Sequence, residues 1–219
     1  MSASETSLHS TPRRLKLALY QSFRAALHNS NCNIGMLVVA IDVGIKNLAL
    51  CAYDFVSNQV IHWDNVNLVP GGRYIPAQNV HYVREFVRRH EFLFLNAQAI
   101  LIERQMRCNM RIIEAVLQSM FFDRCFVIHA RSVKVHYGLS TRQYKTNKEK
   151  AVEWVMQYVQ NNPRAFKPLS NSPGSVANRY LKGGKRDDLA DSLLLVLYYL
   201  DTYSNQLESH AVDTPSGGV

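Results

Sequence analysis

Several acidic residues stand where a globular chain rarely places a charge. Asp42 follows the apolar run 37–41, and Glu103 follows the apolar run 99–102. Both runs predict strands that are buried on both faces, where an unpaired carboxylate is costly. A carboxylate at such a position needs a helix N-terminus, a cation or a metal ion as its partner. The two acids are therefore candidates for a site at the ends of two strands.

A third acidic group opens the last apolar segment, within the stretch KRDDLADS at residues 185–192. On a helix, Asp191 shares a face with Asp188, three residues earlier, and with Asp187, four residues earlier. Helix capping and favourable first-turn acids, worth about 1 kcal/mol, explain one or two of these residues. They do not explain Asp191, which precedes the apolar run 193–197. Like charges this close repel each other unless a cation lies between them.

Together, these acids predict a site for divalent metal ions. If the two strands run parallel, Asp42 and Glu103 meet at the same edge of one sheet, where α/β proteins build their sites. Oxygen ligands without Cys or His favour Mg²⁺ or Mn²⁺ over zinc. Two ions about 4 Å apart would support an in-line phosphoryl displacement. A single acid of this kind has a simpler interpretation, as a cap of the turn that follows its strand.

The elements that must position these acids can be predicted from hydrophobic periodicity. Strands are expected at residues 36–42, 48–55, 59–68, 99–103 and 125–130. Helices are expected at residues 80–94, 109–123, 147–162 and 187–200, with a basic loop before the third and a flexible basic linker over 164–186. This order predicts an α/β fold with a mixed five-stranded sheet and helices packed on both faces. Ser57 and Asn58 suit a hairpin turn.

The composition indicates a polyanionic partner. The 219 residues carry 25 Lys and Arg against 17 Asp and Glu, which gives a net charge of +8. Nucleic acid is the commonest partner of such a chain, although a basic protein need not bind one.

No apolar run reaches the length of a membrane span. The four cysteines form no zinc-ligand pattern and favour a reducing compartment. Seven residues near the acids are predicted to contact DNA: Lys46, Arg104, Gln105, Lys145, Lys148, Lys185 and Arg186.

The chain is expected to contain three regions. Residues 1–35 form a basic, Ser-containing extension, which suits a mitochondrial transit peptide, a DNA-binding arm or a segment upstream of a start at Met36. A transit peptide would place the protein in mitochondria. Residues 36–202 form the catalytic domain. Residues 203–219 form a disordered tail.

Three motifs resemble those of the RuvC-like Holliday junction resolvases. They are AIDVGIKNLAL at 40–50, LIERQ at 101–105 and KRDDLADS at 185–192, with further similarity in VIHWDNVNL, NMRIIEAVLQSMFF and KEKAVEWV. The resemblance covers residues 36–202. It is strongest to the branch that contains fungal mitochondrial cruciform-cutting endonucleases and the resolvases of poxviruses and iridoviruses. A start at Met36 would suit a viral enzyme, which would act in the host cytoplasm or nucleus. The Gly- and Lys-rich turn at the start of the fungal members is absent from residues 1–35.

The resemblance implies a ribonuclease-H-like fold and a homodimer. It further implies a Mg²⁺-dependent endonuclease that cuts two strands of a four-way DNA junction symmetrically. Transferred by motif, the ligands of two metal ions are Asp42, Glu103, Asp188 and Asp191; no small-molecule cofactor is expected. The segment NMRIIEAVLQSMFF, residues 109–122, is apolar on more than one face and is a candidate for part of the dimer interface. Without the resemblance, packing into the core of the domain is the simpler interpretation of this segment.

Three other classes of protein share parts of this pattern. Actin-like ATPases and sugar kinases share the Asp and Gly turn of IDVGIKN but need a second glycine-rich phosphate loop, which this sequence lacks. Other ribonuclease-H-like nucleases, which act on RNA–DNA hybrids, share the acidic cluster. A non-catalytic junction-binding module is the third alternative, in which the acids would be structural.

Overall fold

The computed structural model describes residues 37–69, 71–166, 180 and 186–204. All of them belong to the unit that runs from Gly35 to Val219. The predictions for the extension 1–35, for the tail after residue 204, for Lys185 and for most of the linker 164–186 lie outside the described residues.

Five strands alternate with helices after an initial meander. The strands are β1 Leu37–Asp42, β2 Leu48–Asp54, β3 Gln59–Val66, β4 Ala97–Glu103 and β5 Cys125–Ile128. The helices are α1 Asn79–Arg89, α2 Glu91–Leu95, α3 Cys108–Met120, α4 Ala130–His136, α5 Tyr144–Asn161 and α6 Asp187–Tyr199. Short 3₁₀ turns at Pro76–Gln78 and Pro163–Phe166 and a π turn at Leu200–Ser204 complete the described part of the chain.

The strands form one mixed sheet in the order β3-β2-β1-β4-β5. β1, β2 and β3 pair antiparallel, whereas β1 pairs parallel with β4 and β4 pairs parallel with β5. Asn58 takes the left-handed conformation, with φ of 54°, in the β2–β3 hairpin turn. The carboxyl ends of β1, β4 and β5 therefore lie at one edge of the sheet, which we call the carboxyl edge.

Alternate residues of the central strands build two cores, one on each face of the sheet. From β1, Val38 and Ala40 enter the core that contains α5 and α6. Val39 and Ile41 enter the opposite core, which contains α1, α2 and α3. Because both faces are covered, β1 and β4 are almost continuously apolar, as the sequence predicted. The predicted α/β fold with helices on both faces is confirmed.

Two predicted segments differ from the structure. The helix expected at 80–94 breaks at His90, whose backbone leaves the helical region at φ −117° and whose Nδ1 lies 2.9 Å from the Phe86 carbonyl oxygen. The basic loop expected after β5 contains the helix α4. That helix was missed because it has only seven residues and one buried side chain, Val133, so it carries no periodic signal. In the described part of the chain, no helix combines the length and apolarity needed to cross a bilayer.

Candidate metal centre

Three of the predicted acids converge at the carboxyl edge of the sheet. β1 and β4 are parallel neighbours in which Ile41 is paired with Ile102, so Asp42 and Glu103 follow side by side. Asp191 reaches the same point from α6. One carboxylate oxygen from each of the three residues lies within 4.8 Å of the others. This is the distance range at which carboxylates can share a metal ion.

A tight turn follows Asp42 at the end of β1. A Cβ atom at Gly44 would overlap the backbone carbonyl of Asn47, so a side chain cannot be accommodated there without moving the backbone. The turn is also tied to the end of β3, because the Leu68 N–H donates to the Ile45 carbonyl at 3.0 Å. Glycine is thus required at position 44 by this close approach.

The helix α6 carries Asp191 because its first turns are fixed against the sheet. The Trp63 indole of β3 is fully buried and donates from Nε1 to the Leu189 carbonyl at 3.0 Å. Leu193 and Leu194, further along α6, are buried against the same face of the sheet. Asp191 is itself buried, and its position inside an otherwise apolar helix follows from the need to reach Asp42 and Glu103.

The electrostatics of the cluster are unfavourable without a cation. Burial, followed by Glu103 and Asp191, raises the pKa of Asp42 well above its ordinary value. Burial and then Asp191 raise the pKa of Glu103 from 4.5 to about 7. Burial also raises the pKa of Asp191. Each acid is therefore harder to ionise in the folded chain, which a divalent cation among them would reverse.

A lysine that the sequence analysis did not single out lies inside the site. The Lys134 ammonium of α4 is 3.3 Å from a carboxylate oxygen of Asp191, and both side chains are about nine-tenths buried, at 12% and 10% exposure. Lys134 opposes the effect of burial on the pKa values of Asp191 and Glu103. The sequence could have indicated where Lys134 lies. A helix that follows a strand of a parallel pair begins at the carboxyl edge of the sheet, and α4, which carries Lys134, directly follows β5.

Asp188 and Asp187 occupy different surroundings from Asp191. Asp188 is near enough to raise the pKa of both Asp42 and Glu103, but it does not belong to the group of three oxygens within 4.8 Å. The Asp187 carboxylate lies 2.6 Å from the Lys148 ammonium of α5. Lys148 also lowers the pKa of Asp42, Glu103 and Asp191, so this lysine faces the acids from the side of α5.

The other residues predicted to contact DNA are distributed unevenly. Lys46 and Arg104 are exposed in loops at the carboxyl edge. Lys145 is exposed on the first turn of α5. The Arg186 guanidinium lies 5.9 Å from the Tyr180 ring centre and donates to the Met156 sulfur. Gln105, by contrast, is buried and donates from Nε2 to the Glu103 carbonyl at 3.1 Å, a position that favours a structural contact.

The sheet order and the helices on both faces define a ribonuclease-H-like α/β fold. Two solved structures share it. Fowlpox virus resolvase, solved with its substrate Holliday junction DNA, is 19% identical, with a TM-score of 0.53 over 76% of this chain and 98% of that chain. The yeast mitochondrial Holliday junction resolvase Ydc2 is 18% identical, with a TM-score of 0.53 over 87% of this chain and 92% of that chain.

Sequence comparison places the chain more narrowly. The family described as Poxvirus A22 protein matches residues 36–202, and the chain belongs to this family. No curated protein sequence matches the chain. The matched range is the one over which the three motifs indicated a RuvC-like resolvase of the branch that includes the poxvirus enzymes, and that recognition is confirmed.

Proposed function

We propose that this protein is an endonuclease that resolves four-way DNA junctions by paired, symmetric hydrolysis of phosphodiester bonds. The observation that carries the proposal is the convergence of Asp42, Glu103 and Asp191 at the carboxyl edge of the sheet. Membership of a poxvirus protein family, and a fold shared with two Holliday junction resolvases, support junction DNA as the substrate. The net charge of +8 agrees with a nucleic-acid substrate.

The residues of the cluster fit Mg²⁺, or Mn²⁺ in its place. All the donors are carboxylate oxygens. Burial raises the pKa of all three acids, and neighbouring carboxylates raise those of Asp42 and Glu103 further, which a bound divalent cation would offset. Asp42, Glu103 and Asp191 would hold the metal, with Asp188 as the fourth ligand of a two-ion site. Bound metal would supply an activated water and would stabilise the attacking and leaving oxygens.

The chain's own basic residues would position the substrate around this centre. Lys134 neutralises Asp191 from within the site, while Lys148 approaches the acids from α5. Exposed residues at the rim, Lys46, Arg104 and Lys145, would bind phosphates of the arms and fix the register of the strand. Arg186 would extend this basic rim beside α6, and Lys185, which precedes it in the sequence, is predicted to contact DNA as well. Such contacts set the affinity and make it depend on salt.

A homodimer is part of the proposal because a four-way junction has two-fold symmetry. Two copies related by a C₂ axis present two identical acid clusters to two equivalent strands. The surface that suits this contact is a groove of about 880 Å³ between α1 and α3, lined by apolar side chains that include Val80, Met106, Ile112 and Met120. Exposed apolar residues grouped in this way mark protein contacts more often than isolated ones do.

The decisive experiment compares the wild-type protein with Glu103→Gln on an immobile four-way junction, a linear duplex and an RNA–DNA hybrid, with and without Mg²⁺. We expect paired symmetric cuts in the junction only, and a loss of at least about 100-fold in rate for Glu103→Gln because a metal ligand is removed. Binding to the junction should persist. Glu91→Gln is the matched control, since this exposed acid precedes β4 and lies at the opposite edge of the sheet.

The same assay separates the competing functions. Junction binding without cleavage by the wild-type protein, in Mg²⁺ and in Mn²⁺, would leave a non-catalytic junction-binding module. Cleavage of the hybrid in preference to the junction would keep the metal centre and change the substrate. Equal loss of activity in Glu103→Gln and Glu91→Gln would show that the cluster has no special role in cleavage.

A further inference from the structure

The metal ligand Glu103 is followed at once by a loop that leaves the sheet. Arg104 makes the last sheet contact, donating its N–H to the Ile128 carbonyl of β5 at 2.8 Å. Gln105 lies beyond that pairing and is 9% exposed, so its N–H needs an acceptor other than water. The acceptor is the side chain of Glu114, at 2.7 Å from Oε2 to the Gln105 nitrogen.

Glu114 comes from the second turn of α3, not from the helix start. Side chains of a helix point back toward its N-terminus, which directs Glu114 toward the loop that precedes the helix. Ile113 and Leu117 of α3 are fully buried in the core, so the face beside Glu114 is held firmly against the sheet. Among the described residues, no lysine or arginine forms an ion pair with Glu114, and its carboxylate accepts a hydrogen bond from the loop backbone.

Gln105 also connects the hydrogen bond with Glu114 to Glu103. The same residue whose N–H binds Glu114 donates its side-chain amide to the Glu103 carbonyl at 3.1 Å. A bond to a charged acceptor is stronger than one between neutral groups, and it fixes the direction of the loop. Glu103, the loop and α3 are thereby joined by two consecutive hydrogen bonds. The loop then runs through Met106 and Cys108 into the groove between α1 and α3.

We propose that Glu114 is a positioning residue for the metal centre: its carboxylate ties the loop after Glu103 to α3 and thereby holds the Glu103 carboxylate in place for the metal ion. The inference rests on the proposed function insofar as the cluster binds a divalent metal. It adds a residue outside the acidic motifs. It also places the metal ligand and the groove proposed as the dimer interface on one connected segment, from Glu103 through Gln105 to α3.

The test compares Glu114→Ala, which removes the acceptor, with Glu114→Gln, which keeps an oxygen that can accept the Gln105 N–H. Gln118→Ala is the control, because Gln118 is exposed one turn further along α3. For Glu114→Ala we expect the cleavage rate at saturating junction to fall about 10-fold or more, and the Mg²⁺ concentration for half-maximal rate to rise, as is typical when a partner of a metal ligand is lost. In Glu114→Gln, the cleavage rate and the Mg²⁺ concentration for half-maximal rate should both remain close to those of the wild type.

A readout without DNA separates this role from a loss of folding and from a failure of the proposed function. The thermal unfolding midpoint of each variant is measured with EDTA and with increasing Mn²⁺ or Mg²⁺. We expect the metal-induced rise of the midpoint to need higher metal concentrations in Glu114→Ala than in Glu114→Gln or in the wild type. An unchanged metal dependence in Glu114→Ala overturns the inference, even if cleavage falls. A wild-type protein that binds metal but cuts no junction overturns the proposed function alone.

Discussion

At the scale of single residues, the site groups the carboxylates of Asp42, Glu103 and Asp191, and the Lys134 ammonium lies 3.3 Å from Asp191. Asp42 and Glu103 stood out because each ends a buried apolar run, and Asp191 stood out because it lies inside an apolar helix. Lys134 and Glu114 did not stand out, because each lies in an ordinary helical context. Lys134 matters because it pairs with Asp191, which is distant in the sequence. Glu114 matters because it binds the backbone of the loop after Glu103, whose course the sequence does not show.

The raised pKa values predict how the stability of the metal-free protein depends on pH. The pKa of Glu103 is about 7 in the folded chain against an ordinary 4.5, so between these values the folded state binds more protons than the unfolded state. The free energy of unfolding is therefore larger at low pH, and the contribution of Glu103 to it declines as the pH rises from 4.5 to 7. Asp42 and Asp191, whose pKa values are also raised, act in the same direction.

Thermal unfolding in EDTA across this pH window checks the prediction. We expect Glu103→Gln to have a flatter pH profile than the wild type and a higher midpoint at pH 7, because one of the mutually repelling charges is gone. Mg²⁺ should raise the wild-type midpoint at pH 7 far more than that of Glu103→Gln. A wild-type profile that rises from pH 4.5 to 7 in EDTA, parallel to that of Glu103→Gln, would contradict the electrostatic account.

At the scale of elements, two parallel strand ends and two helices supply the residues of the site. β1 and β4 supply Asp42 and Glu103, while α4, which follows β5, supplies Lys134 to the same edge, and α6 supplies Asp191. The apolar runs and the order of elements predicted that Asp42 and Glu103 meet there, but they did not predict α4 or Lys134. They did not predict how α6 is held, because the contact between Trp63 and the Leu189 carbonyl joins residues 126 positions apart. Long-range contacts of this kind leave no periodic trace in the sequence.

Replacement of Trp63 tests whether β3 holds α6 in place. We expect Trp63→Phe to reduce the free energy of unfolding by about 1–3 kcal/mol, since a buried hydrogen bond is lost and a partial cavity is left. Because Leu189 lies between Asp188 and Asp191, metal-dependent cleavage should fall as well. Urea unfolding and cleavage rates measure the two effects.

The second tryptophan provides the matched comparison. Trp154 of α5 is only partly buried and stacks on Tyr158 at the surface of the same core. Trp154→Phe should therefore cost less than Trp63→Phe and should leave cleavage near the wild-type rate. If the two variants lose equal stability and equal activity, the Trp63 contact has no special role in placing α6.

At the scale of the whole molecule, charge and symmetry connect the metal centre to its substrate. The excess of basic residues favours DNA, and acids gathered at one edge leave the rest of the carboxyl edge to Lys46, Arg104 and Lys145. In the proposed function, one such centre would cut one strand. Symmetric resolution would then need two centres related by a common axis, which a homodimer through the groove between α1 and α3 would provide.

A charge introduced into the groove tests the homodimer. Ile112 of α3 is 41% exposed and lines the groove, so Ile112→Glu should place a charge in the interface without filling the core. We expect this variant to sediment as a monomer and to lose paired cuts while keeping its unfolding midpoint in EDTA. Val56→Glu is the control, because Val56 is exposed in the β2–β3 turn at the opposite edge of the sheet. A wild-type protein that sediments as a monomer with junction bound would exclude the homodimer.

The sequence by itself determined the sheet, the order of its elements and the acids at the carboxyl edge. It did so because burial on two faces forces continuous apolar runs, and a charge that ends or interrupts such a run must have a partner. Only the tertiary structure decided that Asp42, Glu103 and Asp191 form the close group, that Lys134 enters it, and that Glu114 ties the loop behind Glu103. Those facts depend on distances of a few ångströms between elements far apart in the chain, which packing sets and local sequence patterns do not encode.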